Sequence, residues 1–168
     1  MSADPTIKPA TPAELDAITE LWVRLARDQR SSDSHVRAGE NRATMRETLA
    51  AHQASDGLLV ARLDGDLAGF ASFSVERGVL ELDSKRGVLS NLYVCPAYRD
   101  RGVGSALLEA VEVSLANRGV DVVLLEVMAG NVDARRFYRR SGYEAFRVTM
   151  ARPLGNQSEN DTHSKEDR

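Results

Sequence analysis

The residues best suited to chemistry lie between Leu92 and Leu108. A short apolar strand, Leu92-Tyr93-Val94, breaks at Pro96, passes through a turn carrying Arg99, Asp100, Arg101 and Gly102, and becomes a helix from Val103. A strand that runs through a glycine turn into a helix gathers unpaired backbone N–H groups at the positive end of the helix dipole. Gly102 and Gly104 have no Cβ, so a bulky group can approach the main chain closely. Arg99 and Arg101 add full positive charge, and the chemistry this suits is the binding of a diphosphate. Two well-known phosphate loops do not match. A Walker A loop requires a lysine, and none follows Gly104; a dinucleotide fingerprint requires a third glycine where Leu107 stands.

A second cluster lies about thirty residues on. Asn131, Ala134, Phe137, Tyr138, Gly142 and Tyr143 fall at helical spacing with a glycine stop, and Glu126 precedes Tyr138 by twelve residues. Arg135, Arg136, Arg139 and Arg140 make a basic face on the same segment, which as a rule is a solvated surface. Cys95, beside the loop, has no histidine positioned by sequence to activate it and reads as a bystander.

The remaining elements must hold these two clusters in place. Ile7–Ala10 reads as a first strand. Thr11, Pro12 and Glu14 form a helix start with N-cap, N1 proline and capping box. Leu15, Ile18, Trp22 and Leu25 carry that helix to about Gln29, with Trp22 a core residue. A polar connection containing His35, read as solvated, leads to a weaker helix from Gly39 to His52. Strands follow at Leu58–Leu63 and Leu67–Val75 around an Asp64-Gly65 hairpin signal, then a short piece at Val79–Leu82 and a strand from Gly87 to Val94. The helix from Val103 carries an apolar stripe through Val103, Leu107, Val111 and Leu115 and stops at Gly119. Val120–Val127 is nearly continuous in apolar residues, as for a buried strand paired in parallel. A helix opened by Asn131 and two final strands, Tyr143–Phe146 and Val148–Arg152, complete an α+β arrangement around one mixed sheet.

Composition limits the alternatives. The chain has 168 residues, 42% of them hydrophobic and 28% charged, which suits a single soluble domain over 1–154. From Gly155 to Arg168 no apolar residue occurs, and that tail is expected to be disordered. A net charge of −3 argues against a nucleic-acid partner. The single cysteine excludes an internal disulfide and a cysteine-built zinc site. No apolar run reaches the ~20 residues of a membrane span, no signal peptide opens the sequence, and the cytoplasm is the default compartment.

The pattern Arg99-x-x-Gly102-x-Gly104, preceded by Val94-x-Pro96, resembles motif A of the GCN5-related N-acetyltransferases. The segment from Asn131 to Tyr143 resembles motif B of the same family. Together they cover about residues 87–146. The resemblance implies a mixed, mostly antiparallel sheet of about seven strands, flanked by about four helices and splayed centrally at an acetyl-CoA site. It implies acetyl transfer from acetyl-CoA to a primary amine by direct attack in a ternary complex, without a metal; a homodimer is common among such proteins. Carried over residue by residue, it gives backbone contacts to the pantetheine arm and the oxyanion at Leu92, Tyr93 and Val94. It gives pyrophosphate contacts at Asp100, Arg101, Gly102, Val103, Gly104 and Ser105, with Arg99 adding charge, and an arm contact at Asn131. Tyr138 takes the position of the general acid. Glu126 takes that of the base, with Glu81, Asp83 or a water chain as alternatives, because the segment before the loop reads Ser90-Asn91 where an acid is common. The arginine face would then neutralise the 3′-phosphate of the cofactor. Glu76, Glu81 and Asp83 either line an amine site or are solvated turn residues. A different class stays open: a module that binds acyl-CoA without turning it over.

Overall fold

The computed structural model describes residues 4–32, 34–78, 80 and 82–155. Five strands form one sheet in sequence order: β1 (Thr6–Pro9), β2 (Leu58–Leu63), β3 (Asp66–Val75), β4 (Arg86–Val94) and β5 (Val122–Leu125). All pairings are antiparallel except β4 with β5, which is parallel. Four helices flank it: α1 (Leu15–Gln29), α2 (Arg42–Ala54), α3 (Val103–Asn117) and α4 (Val132–Arg140).

The alternation along the strands sends side chains to two separate cores. On one face, Phe70 and Tyr93 of the sheet pack with Ile18 and Trp22 of α1 and Leu49 of α2. On the other, Ala71, Phe73 and Leu89 meet the stripe of α3 formed by Val103, Leu107, Val111 and Leu115. Trp22 is therefore a core residue, as its spacing predicts. The start of α1 also follows the sequence reading. The Glu14 carboxylate accepts from the Thr11 N–H at 2.9 Å and from its hydroxyl at 3.1 Å. Its other oxygen takes a hydrogen bond from Arg62 of β2 at 2.7 Å, which ties the helix start to the sheet.

The expectation of about seven strands is not met: five are formed among the described residues. Tyr143–Phe146 and Val148–Arg152 take no strand pairing. Their alternation is real, but a strand exists only where a second edge lies within hydrogen-bonding reach, and after Gly142 the chain does not fall into register with β5. Of the piece expected at Val79–Leu82, Val79 and Glu81 lie outside the described residues, and Leu80 and Leu82 are exposed without strand pairing. The strand expected to reach Val127 stops at Leu125, where its pairing with β4 ends.

Helix α2 buries one residue of its own, Leu49, which is fully enclosed. Leu49→Ala is expected to cost about 2–5 kcal/mol, the range for truncating a buried leucine. Urea denaturation measures it, and a loss under about 1 kcal/mol would show that α2 is anchored by something else.

Candidate active site

The site begins with a misalignment. Along β3 and β4 the register runs Gly69↔Val94 to Ser72↔Asn91, then resumes at Phe73↔Leu89, so Ser90 has no opposite number. A bulge of this kind bends its strand and sharpens the local twist. The parallel ladder between β4 and β5 ends at the same level, at Leu89↔Leu125. Beyond it the two strands part, leaving a cleft between Ser90–Leu92 on one side and Glu126–Met128 on the other. Leu25 and Gln29 of α1, Asn131, and Ala134 and Tyr138 of α4 also line it. Sequence reading placed the separation at Leu92–Val94; it opens two residues earlier. Ser90 and Asn91 were read only as a missing acid, although two polar residues inside an apolar strand are the signal of such a break. The Asn91 amide donates to the buried Ser72 hydroxyl at 2.8 Å, which fixes that side chain in the sheet.

At the head of α3, the backbone N–H groups of residues 100–105 find no acceptor among the described residues. The first internal bond of the helix is made by the Ala106 N–H to the Gly102 carbonyl, at 3.0 Å. The turn is built from two left-handed residues, Asp100 (φ 62°) and Gly102 (φ 77°), and successive amides in such a turn point together into an anion-binding hollow. Gly104 has ordinary φ, and a Cβ there would meet nothing nearer than Phe137 at 3.5 Å. Nothing inside the protein requires a glycine at that position. Asp100, Arg101, Gly102, Val103, Gly104 and Ser105 thus form the turn and the first residues of α3.

Arg99 is not brought to the turn. Its Nε donates to the Val94 carbonyl at 3.0 Å, its guanidinium lies 3.6 Å from Asp28 of α1, and it sits 5.7 Å over the Tyr93 ring. It fastens the end of β4 to α1, and Arg101 is left as the arginine of the turn. Tyr93 itself is buried in the core, so it can offer the cleft only its main chain. Leu92 and Val94 pack partly buried on the α3 side.

Tyr138 lines the cleft, its hydroxyl without a hydrogen-bond partner among the described residues, while its ring meets Phe137 and Tyr143 edge-on at 5.2 and 5.8 Å. Burial pushes its pKa up to about 12. Tyr143, which sequence reading treated only as part of a motif, donates to Glu112 of α3 at 3.0 Å; burial and that carboxylate raise its pKa as well. Asn131 caps α4, its Oδ1 accepting from the Ala134 N–H at 3.1 Å, and it also lines the cleft. Among the described residues, Glu126 is the one acidic residue lining the cleft.

Other candidates are placed elsewhere. His35 and Asp83 are exposed and line no part of the cleft, Glu81 lies outside the described residues, and Glu76 faces Arg86 at 3.8 Å. Cys95 is buried, and burial pushes its thiol up, away from the reactive thiolate. Arg135, Arg136, Arg139 and Arg140 line a surface hollow of about 220 Å³ along the outside of α4. Among the described residues none of the four pairs with a carboxylate. No described helix is long and apolar enough to cross a membrane, and no described cluster of ligating side chains has the form of a metal site.

Tyr138 is expected to stay protonated through the range where free tyrosines ionise. In an absorbance titration at 295 nm, Tyr138→Phe should remove amplitude only well above pH 10. Loss of amplitude near pH 10 would show an exposed phenol.

Comparison with known proteins agrees with this geometry. The sequence is 34% identical over 104 residues to an uncharacterized N-acetyltransferase of Mycobacterium tuberculosis, the match spanning 62% of each chain. It is 45% identical over 87 residues to a mycothiol acetyltransferase of Clavibacter michiganensis, covering 51% of this chain and 26% of that one. The chain thus spans less than two thirds of these relatives. In structure it superposes on a GCN5-related N-acetyltransferase from Ralstonia eutropha with a TM-score of 0.72 at 22% identity, covering 90% of this chain and 99% of the other. The model of the acetyltransferase (GNAT) family matches residues 16–143, and the chain belongs to that family of acyl-transferring enzymes.

Proposed function

We propose that the protein transfers the acetyl group of acetyl-CoA to a primary amine by direct attack, with both substrates bound at once. The observation that carries this reading is the parting of β4 and β5 at Leu89↔Leu125 beside the unpaired amides of residues 100–105. Acetyl-CoA has a diphosphate at one end of an amide-bearing arm and a thioester at the other. The turn before α3 suits the first, and the unladdered edge of β4 from Ser90 to Val94 suits the second, by strand-like pairing. A Cβ at Gly104 is tolerated by the protein but would intrude where the diphosphate approaches. The arginine hollow on α4 offers charge to the 3′-phosphate.

The chain's own groups then divide the work. Backbone N–H groups on the free edge of β4 stabilise the oxyanion as the thioester carbonyl is attacked. Glu126, in the cleft and accessible to solvent, takes the proton that the ammonium must lose before it can attack, directly or through water. The amine reaches the cleft on the side of Ser90, Asn91 and Gln29, where polar groups and one carboxylate suit a cation. Tyr138 donates a hydrogen bond to the leaving sulfur. With a pKa near 12 it holds its proton more tightly than a thiol of pKa about 8.5 does. Its contribution is therefore a desolvated, charge-assisted hydrogen bond more than a completed proton transfer.

A thermal-shift experiment with acetyl-CoA, CoA and ATP tests the reading. Acetyl-CoA near 100 times its Kd is expected to raise Tm by roughly 5–10 °C, with no effect of ATP. No shift at millimolar acetyl-CoA would overturn it. A shift without turnover on any amine in a panel would leave a binding module instead. Gly104→Ala separates ligand from fold: Ala is the better helix former by about 0.5–1 kcal/mol, so Tm should hold or rise while KM for acetyl-CoA increases at least tenfold. Tyr138→Phe should lower kcat about 10- to 100-fold, the worth of one hydrogen bond to a charge, with KM for acetyl-CoA nearly unchanged. Glu126→Gln should lower the rate most below the pKa of the acceptor amine, and equal loss at every pH would remove it from the base role.

A further inference from the structure

Helix α4 carries Tyr138 and is lightly fastened. None of its residues is buried; Phe137 and Tyr138, with Tyr143 just beyond its end, pack half-buried against the core that α3 covers. Apolar contact is non-directional and does not by itself fix the tilt of a helix. Among the described residues, the segment from Val132 to Tyr143 makes a single hydrogen bond, and no ion pair, to another helix or strand. It runs from the Tyr143 hydroxyl to the Glu112 carboxylate of α3 at 3.0 Å, between two half-buried side chains. A hydrogen bond to a carboxylate is directional and among the stronger kinds.

Tyr143 is in turn joined to Tyr138. Its N–H donates to the Tyr138 carbonyl at 2.9 Å, and the two rings meet edge-on with their planes 68° apart. Helix α3 also meets α4 at a second point, since the place of a Cβ on Gly104 lies 3.5 Å from the Phe137 ring. From Gly104 to Glu112, α3 runs about 12 Å. Contacts at two separated points on one rigid rod set both the place and the tilt of a second.

We infer that Glu112 and Tyr143 are positioning residues for Tyr138: their hydrogen bond holds α4 against α3 and so sets where the Tyr138 side chain stands in the cleft. This rests on Tyr138 as the donor to the leaving sulfur and on the amides at the head of α3 as the diphosphate seat. Neither Glu112 nor Tyr143 lines the cleft, and both act through Tyr138. One helix then carries the seat at its head and the strut further along, so the span from diphosphate to thioester is measured against α3.

Spectra and kinetics of the whole chain decide it. In an NMR spectrum of protein with isotope-labelled tyrosine rings, the Tyr138 signal is the one missing from Tyr138→Phe. Glu112→Ala should shift that signal, and Glu112→Gln, which keeps an acceptor for the Tyr143 hydroxyl, should hold it near its original place. An unmoved signal in Glu112→Ala overturns the proposal. In turnover, Tyr143→Phe and Glu112→Ala should each lower kcat about tenfold, the scale of a misplaced catalytic group, with KM for acetyl-CoA nearly unchanged. Glu112→Gln should recover most of the rate. In a Tyr138→Phe background, Tyr143→Phe should cost nothing further, because the two residues act as one unit. The same loss in both backgrounds, a rise in KM in place of a fall in kcat, or a Glu112→Gln as slow as Glu112→Ala overturns the proposal. A wild-type chain without turnover on any amine would remove the transfer chemistry instead; the spectra need no acetyl-CoA and would still decide whether Glu112 and Tyr143 hold Tyr138.

Discussion

A single unmatched residue governs the architecture of the site. Ser90 has no partner on β3, and the turn of the chain that absorbs it comes where the parallel ladder to β5 runs out. Backbone amides inside a protein are under strong pressure to pair. A sheet opens in its middle only where something relieves that pressure, and here the shifted register does so. Strand β4 keeps its bonds to β3 and surrenders those to β5. Tyr138, Asn131 and Glu126 then meet at one place because each stands on an element attached to one lip of that opening.

The charges around the opening divide into holding and waiting groups. Arg99 is engaged three ways, with the Val94 carbonyl, Asp28 and the Tyr93 ring, and so clamps the end of β4 onto α1. Each such contact at a half-exposed surface is worth little alone, yet together they set where the following turn begins. Arg101 and the four arginines of α4 have no carboxylate facing them among the described residues. Those facing outward without partners are the ones free to meet an anion.

Most of the fold was legible because its signals are local. The Thr11–Glu14 start, the Asp64-Gly65 hairpin, the stripe of α3 and the cap at Asn131 each depend on neighbours within about one helical turn. Family resemblance supplied the turn residues and Tyr138; the first stand at the head of α3 and the second lines the cleft. What escaped reading depends on distant partners. The bulge at Ser90 is a relation between β3 and β4, the diversion of Arg99 requires Asp28 on another helix, and the tether of Tyr143 requires Glu112 on α3. The two last strands failed for the complementary reason: an alternating sequence states which face is apolar and is silent on whether an edge is within reach. Glu126 lines the cleft but lies outside the strand expected to contain it, since strand length is set by where pairing stops.

The sheet also divides the interior into two compartments that share no buried side chain. Ile18, Trp22 and Leu49 belong to the half that packs on α1 and α2; Phe73, Leu107 and Val111 belong to the half that packs on α3. Packing defects propagate through contact, and residues without shared partners respond to substitution independently. The helices α1 and α2 can thus be redrawn by mutation while the packing of α3 and its amide cluster stays undisturbed. A scaffold partitioned in this way can change one side of the sheet without disturbing the other.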